Sequence, residues 1–373
     1  MKKIFKIFIN LIRYLFALLF LLFAIATFMG KSYIQTLLIL IIVTALIYWP
    51  SYFVKKWNSR TSLTIRILSI LILFIINVAF FRPGPKTSIY LSDDYKSRLL
   101  EIYDLKMKEW PKETEDIYVK TKYGKVHILA CGLKENPPLI MIHAASMGAH
   151  SWADNLEPLL NYYRIYSIDN IGEGNKSELK NATTYPDDEK KIADFYAELL
   201  DSIGVKRSPV FGASNGGFIA MNYAYYYPER VESLVLFGPM GLTKLTGRSI
   251  IMLSIATMYP FQFVRNFVID WALGKNEYVL NKYKDWFNCI MEGTIPSVAM
   301  PEPMTVEQKK KMDIPILLFL GTKDQIVGDV EFAEKKAKEF PNIKIVVLES
   351  GHLIAVEYFE VVNEQIKSFL KLD

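Results

Sequence analysis

Apolar runs that alternate with helical segments from residue 138 onward are the feature of this sequence that most restricts its fold. The runs are nearly continuous in Ile, Leu and Val, which is typical of strands buried on both faces. Strands that alternate with helices favour a parallel sheet with helices on both sides, so the sequence predicts an α/β fold. The predicted strands are 138–143, 163–168, 209–212, 231–237, 314–321 and 343–348, and the clearest helix is 187–203.

A helix and a hairpin come before this alternation. Ser92 is followed by two aspartates, which is typical of an N-cap and predicts a helix that ends near Met107. Two strand-like runs, 116–122 and 125–131, flank Gly124 and predict an antiparallel hairpin. The globular part of the chain is therefore expected to begin with one helix and two outer strands.

A long stretch from about 242 to 313 interrupts the alternation. It has no strand signal but many aromatic and methionine residues, and it lies between two predicted strands. A stripe of this composition is usually core, whereas its position between two strands of one sheet favours a helical cap inserted into the domain.

Three apolar runs near the N-terminus have about the length needed to cross a bilayer. They are 11–29, 33–53 and 62–81, separated by short polar breaks. Buried core helices explain three such runs in succession poorly, and a cleaved signal peptide would account for the first run alone. Residues 1–86 are therefore predicted to be a membrane anchor and 87–373 a separate domain, with the turn-rich "RPGPK" at the boundary.

Basic residues around these runs predict the orientation, because Lys and Arg are enriched on the cytoplasmic side of membrane proteins. If all three runs span, the residues on the side of the N-terminus are Lys2, Lys3, Lys6, Lys55, Lys56 and Arg60. Those on the opposite side are Lys31, Arg82 and Lys86. The excess of Lys and Arg on the side of the N-terminus predicts a cytoplasmic N-terminus and a domain outside the plasma membrane. The Lys- and Ile-rich composition indicates a bacterial membrane.

Charge and cysteine content exclude several classes of site. The net charge of +5 is modest, and no long basic patch interleaved with aromatics is present, so no nucleic-acid partner is expected. Cys131 and Cys289 lie far apart, without metal-ligand or redox spacing, and are expected to be free thiols. With no metal motif and no glycine-rich phosphate loop, the sequence predicts neither a metal nor a cofactor.

Residues 209–217, "PVFGASNGG", place Ser214 among glycines, after a predicted strand and before a predicted helix. A nucleophile on a sharp strand-to-helix turn needs neighbours without side chains, because the backbone passes close by. The pattern Gly-x-Ser-x-Gly arises often by chance, but this context is the one that a nucleophile elbow requires. Ser214 is therefore the candidate nucleophile.

A serine hydroxyl needs a base within hydrogen-bond reach, and the base needs a third group to hold its tautomer. His352 follows the last predicted strand, and it alone of the four histidines is placed to reach the elbow from a C-terminal loop. Asp324 follows the preceding strand at the same sheet edge, with Glu349 as the reserve acid. The other histidines are His127 on the outer hairpin, His143 in a structural role, and His150 facing solvent or capping a helix.

Residues from about 92 to the C-terminus resemble the α/β-hydrolase family, especially its carboxylesterase-like bacterial members. The resemblance is carried by "GASNGG" at the elbow, "PERV" at 228–231, "PILLFLGTKD" before the acid, "SGH" at the base and "PPLIMIHAASMGAHSW" after the hairpin. The segment "WPKETEDIYVKTKYGKVHILACG" also resembles the entry segment of such esterases. These motifs occur in the family's order, so the resemblance implies the α/β-hydrolase fold.

The family implies an acyl-serine mechanism in which Ser214 attacks, His352 takes and returns the proton, and Asp324 orients His352. A serine nucleophile argues against the dehalogenase and epoxide-hydrolase branches, which use aspartate at that position. The predicted function is a membrane-anchored serine esterase or lipase that cleaves acyl esters of small molecules or lipids without a cofactor.

The resemblance also implies an oxyanion hole built from the backbone N–H groups of Asn215 and Ala145. The chain departs from the family at Ala144, where glycine is usual, and a Cβ there disfavours positive φ. Ser146, next along, is an alternative donor through its hydroxyl.

Two further functions stay open. An aminopeptidase or acyltransferase would use the same three residues, and Glu277, Asp285 and Glu292 are scattered candidates for holding a substrate amine. A non-catalytic receptor or membrane scaffold is the third possibility, although no member of the triad is missing. The oligomeric state is not predicted.

The cap side chains expected to line an apolar acyl pocket are Met252, Phe261, Trp286 and Met291.

Overall fold

The structure is a computed structural model that describes residues 88–243, 246–258 and 262–372. The three predicted membrane spans and the predicted domain boundary at residue 86 lie outside the described residues. Within the described ranges, no helix combines the length and the apolar character that a membrane crossing requires.

Nine strands of the described chain form one mixed sheet. They are β1 (Glu115–Lys120), β2 (Gly124–Cys131), β3 (Pro138–Ile142), β4 (Arg164–Ile168), β5 (Glu178–Leu179), β6 (Ser208–Ala213), β7 (Val231–Phe237), β8 (Ile316–Gly321) and β9 (Ile343–Leu348). The order is β1-β2-β4-β3-β6-β7-β8-β9, with β5 paired to β2. β2 pairs antiparallel with β1, β4 and β5, whereas every pair from β4 to β9 is parallel. The predicted α/β class is confirmed.

Helices cover both faces of this sheet. They are α1 (Asp93–Lys106), α2 (Glu189–Ser202), α3 (Asn215–Tyr226), α4 (Gly247–Met258), α5 (Gln262–Ala272), α6 (Glu277–Gly293), α7 (Val306–Lys310), α8 (Val330–Ala337), α9 (Ile354–Glu357) and α10 (Phe359–Leu370). A 3₁₀ helix, Ala149–Asn155, follows β3.

Side chains along the central strands alternate between two apolar cores. In β7, Leu234 and Leu236 belong to one core, and Val235 and Phe237 to the other. All four side chains are at most 1% exposed. The first core includes residues of α2 and α3, and the second includes residues of α1, α6 and α10. Because both faces are buried, the strands read as continuous apolar runs rather than as an alternating pattern.

The predicted elements before the parallel strands are confirmed. The Ser92 side chain accepts a hydrogen bond from the Tyr95 N–H at 3.3 Å and so caps α1. β1 and β2 form the predicted hairpin. The largest difference at a strand start concerns the predicted strand 314–321. The observed strand begins at Ile316, because Pro315 has no N–H to donate to the sheet.

The region predicted to be a helical cap contains α4 to α7 and lies between β7 and β8. Helix α6 is part of the domain core rather than a free lid, since its Tyr283, Trp286 and Ile290 are at most 2% exposed and pack in the second core. Residues 259–261, and with them the candidate Phe261, lie outside the described residues.

The expectation that His150 faces solvent or caps a helix is wrong, because its side chain is buried at 1% exposure. The ring lies 4.6 Å from the Tyr103 ring and 4.4 Å from the Trp286 ring, measured between centroids. Neither ring nitrogen has a hydrogen-bond partner among the described residues. Burial lowers the pKa of His150 to about 3, since an imidazolium in this aromatic cage would lose its hydration.

We expect His150→Phe to reduce the loss of stability in acid. An unfolded histidine titrates near pH 6.5, so the neutral ring contributes stability that is complete above that pH and is lost as the pH falls towards 3. This group alone would lower the free energy of unfolding by up to about 1.4 kcal/mol per pH unit in that window. Urea unfolding of both proteins at pH 8 and pH 5, followed by tryptophan fluorescence, measures the difference.

His143→Phe is the matched control. The His143 ring accepts a hydrogen bond from the Asn170 N–H at 2.9 Å. Loss of this hydrogen bond in His143→Phe should already destabilise the protein at pH 8. A pH dependence that is the same in His150→Phe and in the wild type would contradict the assignment.

Candidate active site

The turn that carries Ser214 is strained and tightly packed. Ser214 follows β6 and precedes α3, with φ 49° and ψ −114°, a conformation that costs a non-glycine residue on the order of 1–3 kcal/mol. A Cβ on Gly216 would lie 2.1 Å from the Ile142 carbonyl oxygen, and one on Gly212 would lie 2.5 Å from the Gly216 oxygen. The glycines are therefore required because β3, β6 and α3 meet at this turn.

Ser214, His352 and Asp324 are brought into one hydrogen-bonded chain. The Ser214 Oγ lies 2.8 Å from His352 Nε2, and His352 Nδ1 lies 2.7 Å from Asp324 Oδ2. All three residues are at most 7% exposed. The ring is thus held by the carboxylate on one side and directed at the hydroxyl on the other, which is the geometry of an activated nucleophile.

The two loops that carry the acid and the base follow β8 and β9, which are parallel neighbours. Asp324 uses its Oδ1 to accept the N–H groups of Ile326 and Val327, at 2.8 and 3.0 Å, and this leaves Oδ2 for His352. Glu349, the reserve acid, is elsewhere: its side chain is 74% exposed and pairs with Lys323 at 3.0 Å.

The outer-hairpin histidine, His127, is fully buried between two carboxylates. Its Nδ1 lies 2.7 Å from Asp169 Oδ2 and its Nε2 lies 2.7 Å from Asp116 Oδ1. Burial by itself lowers the pKa of His127, but the hydrogen bonds and charges of Asp169 and Asp116 outweigh it and raise the pKa. His127 therefore joins β1, β2 and the end of β4, and it lies in a cluster separate from Ser214.

Two candidate oxyanion donors flank the nucleophile. Asn215 is the first residue of α3, so its N–H is one of those that an α-helix leaves without an intrahelical partner. Ala145 lies in the loop after β3. Ala144 stands where the sequence analysis expects glycine, and it does not have positive φ. The residue of this loop with left-handed backbone is Ser146, with φ 61°. The strained position therefore lies two residues after Ala144.

Both backbone groups of Ser146 have hydrogen-bond partners. Its N–H donates to Glu173 Oε2 at 2.6 Å, and its carbonyl oxygen accepts the Trp286 Nε1–H at 2.8 Å. Trp286, a candidate pocket residue, is therefore placed behind this loop at 1% exposure. Of the other cap candidates, Met291 is partly buried against the second core and Met252 is partly buried in α4.

A small apolar cavity of about 20 Å³ lies beside the base. Its lining includes Ala213, which precedes the nucleophile, and His352. Of the predicted cap residues that the structure describes, Met252, Trp286 and Met291 do not belong to this lining. The apolar side chains that surround the cavity are Ala144, Met147, Trp152, Phe237, Leu353, Ile354, Ala355 and Val356.

Glu173 was missed by sequence reasoning. Its carboxyl is buried at 1% exposure and accepts hydrogen bonds from Ser146 and, at 3.3 Å, from the Asn170 side chain. Burial raises the pKa of Glu173, although these hydrogen bonds oppose the shift. The available signal was "GEG" at 172–174, an acid between two glycines directly after a buried strand.

Comparison with known proteins agrees with this arrangement. A family model described as "alpha/beta hydrolase fold" matches residues 137–270. The chain is 27% identical over 310 residues to the carboxylesterase nap of Bacillus subtilis (strain 168), an alignment that covers 77% of this chain and 97% of the relative.

Solved structures extend the likeness to three dimensions. The crystal structure of the carboxylesterase CesB (YbfK) from Bacillus subtilis is 25% identical, with a TM-score of 0.68 over 74% of this chain and 98% of that one. The naproxen esterase (carboxylesterase NP) from Bacillus subtilis is also 25% identical, with a TM-score of 0.69 over 75% and 99% of the two chains. The described chain therefore shares its overall fold with these carboxylesterases.

Proposed function

From the premise that this chain is a serine hydrolase of the α/β-hydrolase fold that acts on esters, we propose that Ser214, His352 and Asp324 carry out the reaction on carboxylic esters with a small acyl group. The observation that carries the proposal is the continuous hydrogen-bonded chain from Ser214 Oγ through the His352 ring to Asp324 Oδ2. The relatives named carboxylesterases support the choice of ester over amide.

The reaction follows from this geometry. The Ser214 Oγ attacks the ester carbonyl carbon while His352 Nε2 takes its proton, and Asp324 stabilises the imidazolium. The tetrahedral intermediate collapses as His352 returns the proton to the leaving alcohol, which leaves an acyl-serine. A water molecule then attacks the acyl carbon, again with His352 as base, and releases the acid. The N–H groups of Ala145 and Asn215 are proposed to donate to the oxyanion in both steps.

We expect Ser214→Ala to abolish both ester hydrolysis and covalent labelling by a fluorophosphonate probe, since the probe forms its bond with the activated serine. Ser233→Ala, which removes a buried hydroxyl from β7, should keep both. His352→Ala should abolish turnover. Asp324→Asn should lower kcat by about 10³- to 10⁴-fold, because the ring is then held in the wrong tautomer. Labelling that persists in Ser214→Ala would overturn the proposal.

The size of the cavity beside His352 supports the small acyl group. A volume of about 20 Å³ holds a group about the size of a water molecule or a methyl, and the lining contains no carboxylate, lysine or arginine side chain. Bulky Met147 and Trp152, at most 2% exposed, belong to its lining. We therefore propose an acyl group about the size of acetyl for this site.

We expect Met147→Ala to shift the preferred substrate from acetyl towards hexanoyl esters, because it removes the thioether that lines the cavity. The ratio of kcat/KM for p-nitrophenyl hexanoate over acetate should rise about tenfold or more, since each methylene in an apolar pocket contributes on the order of 1–3 kcal/mol. Met304→Ala is the matched control, as Met304 is similarly buried but lies in the other core. An equal ratio in both variants would contradict the assignment.

Aminopeptidase activity has less support. Glu277, Asp285 and Glu292 all lie on α6, and at about 1.5 Å per residue they are spread over more than 20 Å of helix. Glu292 is also paired with Arg265 at 3.5 Å. These acids do not form one cluster that could hold a substrate amine. Among the described residues, no specific contact favours an acyl acceptor other than water, and none favours a scaffold without activity.

We also propose that residues 1–86 anchor the enzyme in the bacterial plasma membrane through spans 11–29, 33–53 and 62–81, with a cytoplasmic N-terminus. The proposal is supported by the length of the three apolar runs and by the excess of Lys and Arg on the side of the N-terminus. The hydrolase domain would then lie outside the cell, tethered close to the outer leaflet. Amphiphilic, lipid-like esters with a small acyl group would be within its reach.

Protease added to intact protoplasts should remove the domain after Arg82 if this orientation holds. A cysteine introduced at Lys96, a partly exposed position of α1 whose side chain is about one-third exposed, should react with an impermeant maleimide before lysis. Lys56→Cys, on the cytoplasmic side, should react only after lysis. The reverse labelling pattern would show that the domain is cytoplasmic.

A further inference from the structure

The Glu173 carboxyl contacts both elements that carry the proposed oxyanion donors. Its Oε2 accepts the Ser146 N–H at 2.6 Å, in the loop where Ala145 lies. Its Oε1 accepts from the Asn215 side-chain amide at 3.5 Å, on the residue that follows the nucleophile. One buried side chain therefore joins the loop after β3 to the first residue of α3.

Ser146 is held from two sides. Its φ of 61° is unfavourable for a residue with a Cβ, so the loop would relax unless other contacts determine it. Glu173 takes its N–H, and Trp286 of the cap helix α6 donates to its carbonyl oxygen at 2.8 Å. Because both contacts are partly buried, loss of either leaves a partly buried backbone group without its protein partner. The adjacent N–H of Ala145 is directed by the same backbone.

Glu173 has little freedom to move. Gly172 has φ 86°, and a Cβ there would lie 2.1 Å from the Ser297 carbonyl oxygen. A Cβ on Gly174 would lie 2.5 Å from the Cδ1 of Ile290 in α6. The two glycines let the loop pass under the cap, and the Asn170 amide also donates to Glu173 at 3.3 Å. The carboxyl is thus a fixed point rather than a mobile contact.

The chemistry of a buried acid suits this position. The groups around it are the His143 ring, the Tyr196 hydroxyl and the amides of Asn170 and Asn215. Burial raises the pKa of Glu173, which favours its neutral form relative to an exposed carboxyl. Its two oxygens accept N–H groups from the loop after β3 and from the first residue of α3.

We propose that Glu173 is a positioning residue of the oxyanion hole, which together with Trp286 sets the spacing between the N–H groups of Ala145 and Asn215. The proposal rests on the proposed function, because it assigns these two groups to the oxyanion. It also makes the cap helix α6 part of the catalytic geometry, through the indole of Trp286 rather than through a lid movement.

The test compares Glu173→Ala with Glu178→Ala in the full-length protein. Glu178 lies in the same segment but its side chain is 52% exposed and pairs with Lys96. Glu173→Ala should lower kcat for p-nitrophenyl acetate by about 10- to 100-fold with KM changed less than about threefold. The reason is that the displaced N–H donors stabilise the oxyanion of the transition state and contribute little to substrate binding. Glu178→Ala should keep both constants.

A trifluoromethyl ketone that adds to Ser214 reports on the oxyanion directly. Its Ki should weaken in Glu173→Ala by the same factor as kcat/KM falls, since the adduct carries the oxyanion of the intermediate. Glu173→Gln should recover most of both losses, because its amide oxygen still accepts the Ser146 N–H.

Trp286→Phe tests the second contact and Trp110→Phe is its control. Both remove one buried indole N–H that donates to a backbone carbonyl, of Ser146 in the first case and of His150 in the second. Only Trp286→Phe should lower kcat and inhibitor affinity together, whereas Trp110→Phe should lower the thermal midpoint alone.

A loss of thermal stability in Glu173→Ala with kcat and Ki unchanged would overturn the proposal. An increase in KM with kcat unchanged would overturn it as well. Failure of the proposed function is seen separately. In that case Ser214→Ala would retain hydrolysis, whatever the Glu173 variants do.

Discussion

The close approach of α3 to the end of β3 is the contact on which the rest of the site depends. The Gly216 backbone passes so near the Ile142 carbonyl that a Cβ would lie 2.1 Å from that oxygen. This contact forces the sharp turn at Ser214 and places its hydroxyl at the carboxyl edge of the sheet. The strained conformation of Ser214 is maintained because the preceding strand, β6, lies between β3 and β7 in the sheet. The residues of β6 are at most partly exposed.

The sheet then determines which loops reach the nucleophile. β8 and β9 are parallel to β6 and β7, so the loops that follow them emerge at the edge where Ser214 lies. Asp324 is rigid there because one of its oxygens is satisfied by its own loop, and only the other is available to His352. The hydrogen-bonded chain is thus preformed before any substrate binds.

Buried polar groups also hold together the elements of the sheet and the loops near the site. Asp169 and His127 hold the hairpin to β4, while Glu173 and Trp286 hold the loop that follows β3. Each of these groups would be costly to bury alone, and each is stable because its partners come from a different element. The cap therefore contributes to the site through fixed hydrogen bonds, and the cavity beside His352 is lined by the domain core instead.

The amino-acid sequence alone determined the α/β class, most strand boundaries within two residues, and the candidates Ser214, Asp324 and His352, because these depend on local patterns and on chain order. Only the tertiary structure decided that His150 is buried and that the Trp286 indole donates a hydrogen bond to the loop after β3. It also singled out Glu173, whose partners lie 27 and 42 residues away. Such contacts leave no periodic or motif signal, since they depend on how distant segments pack, and packing is specified by the whole fold.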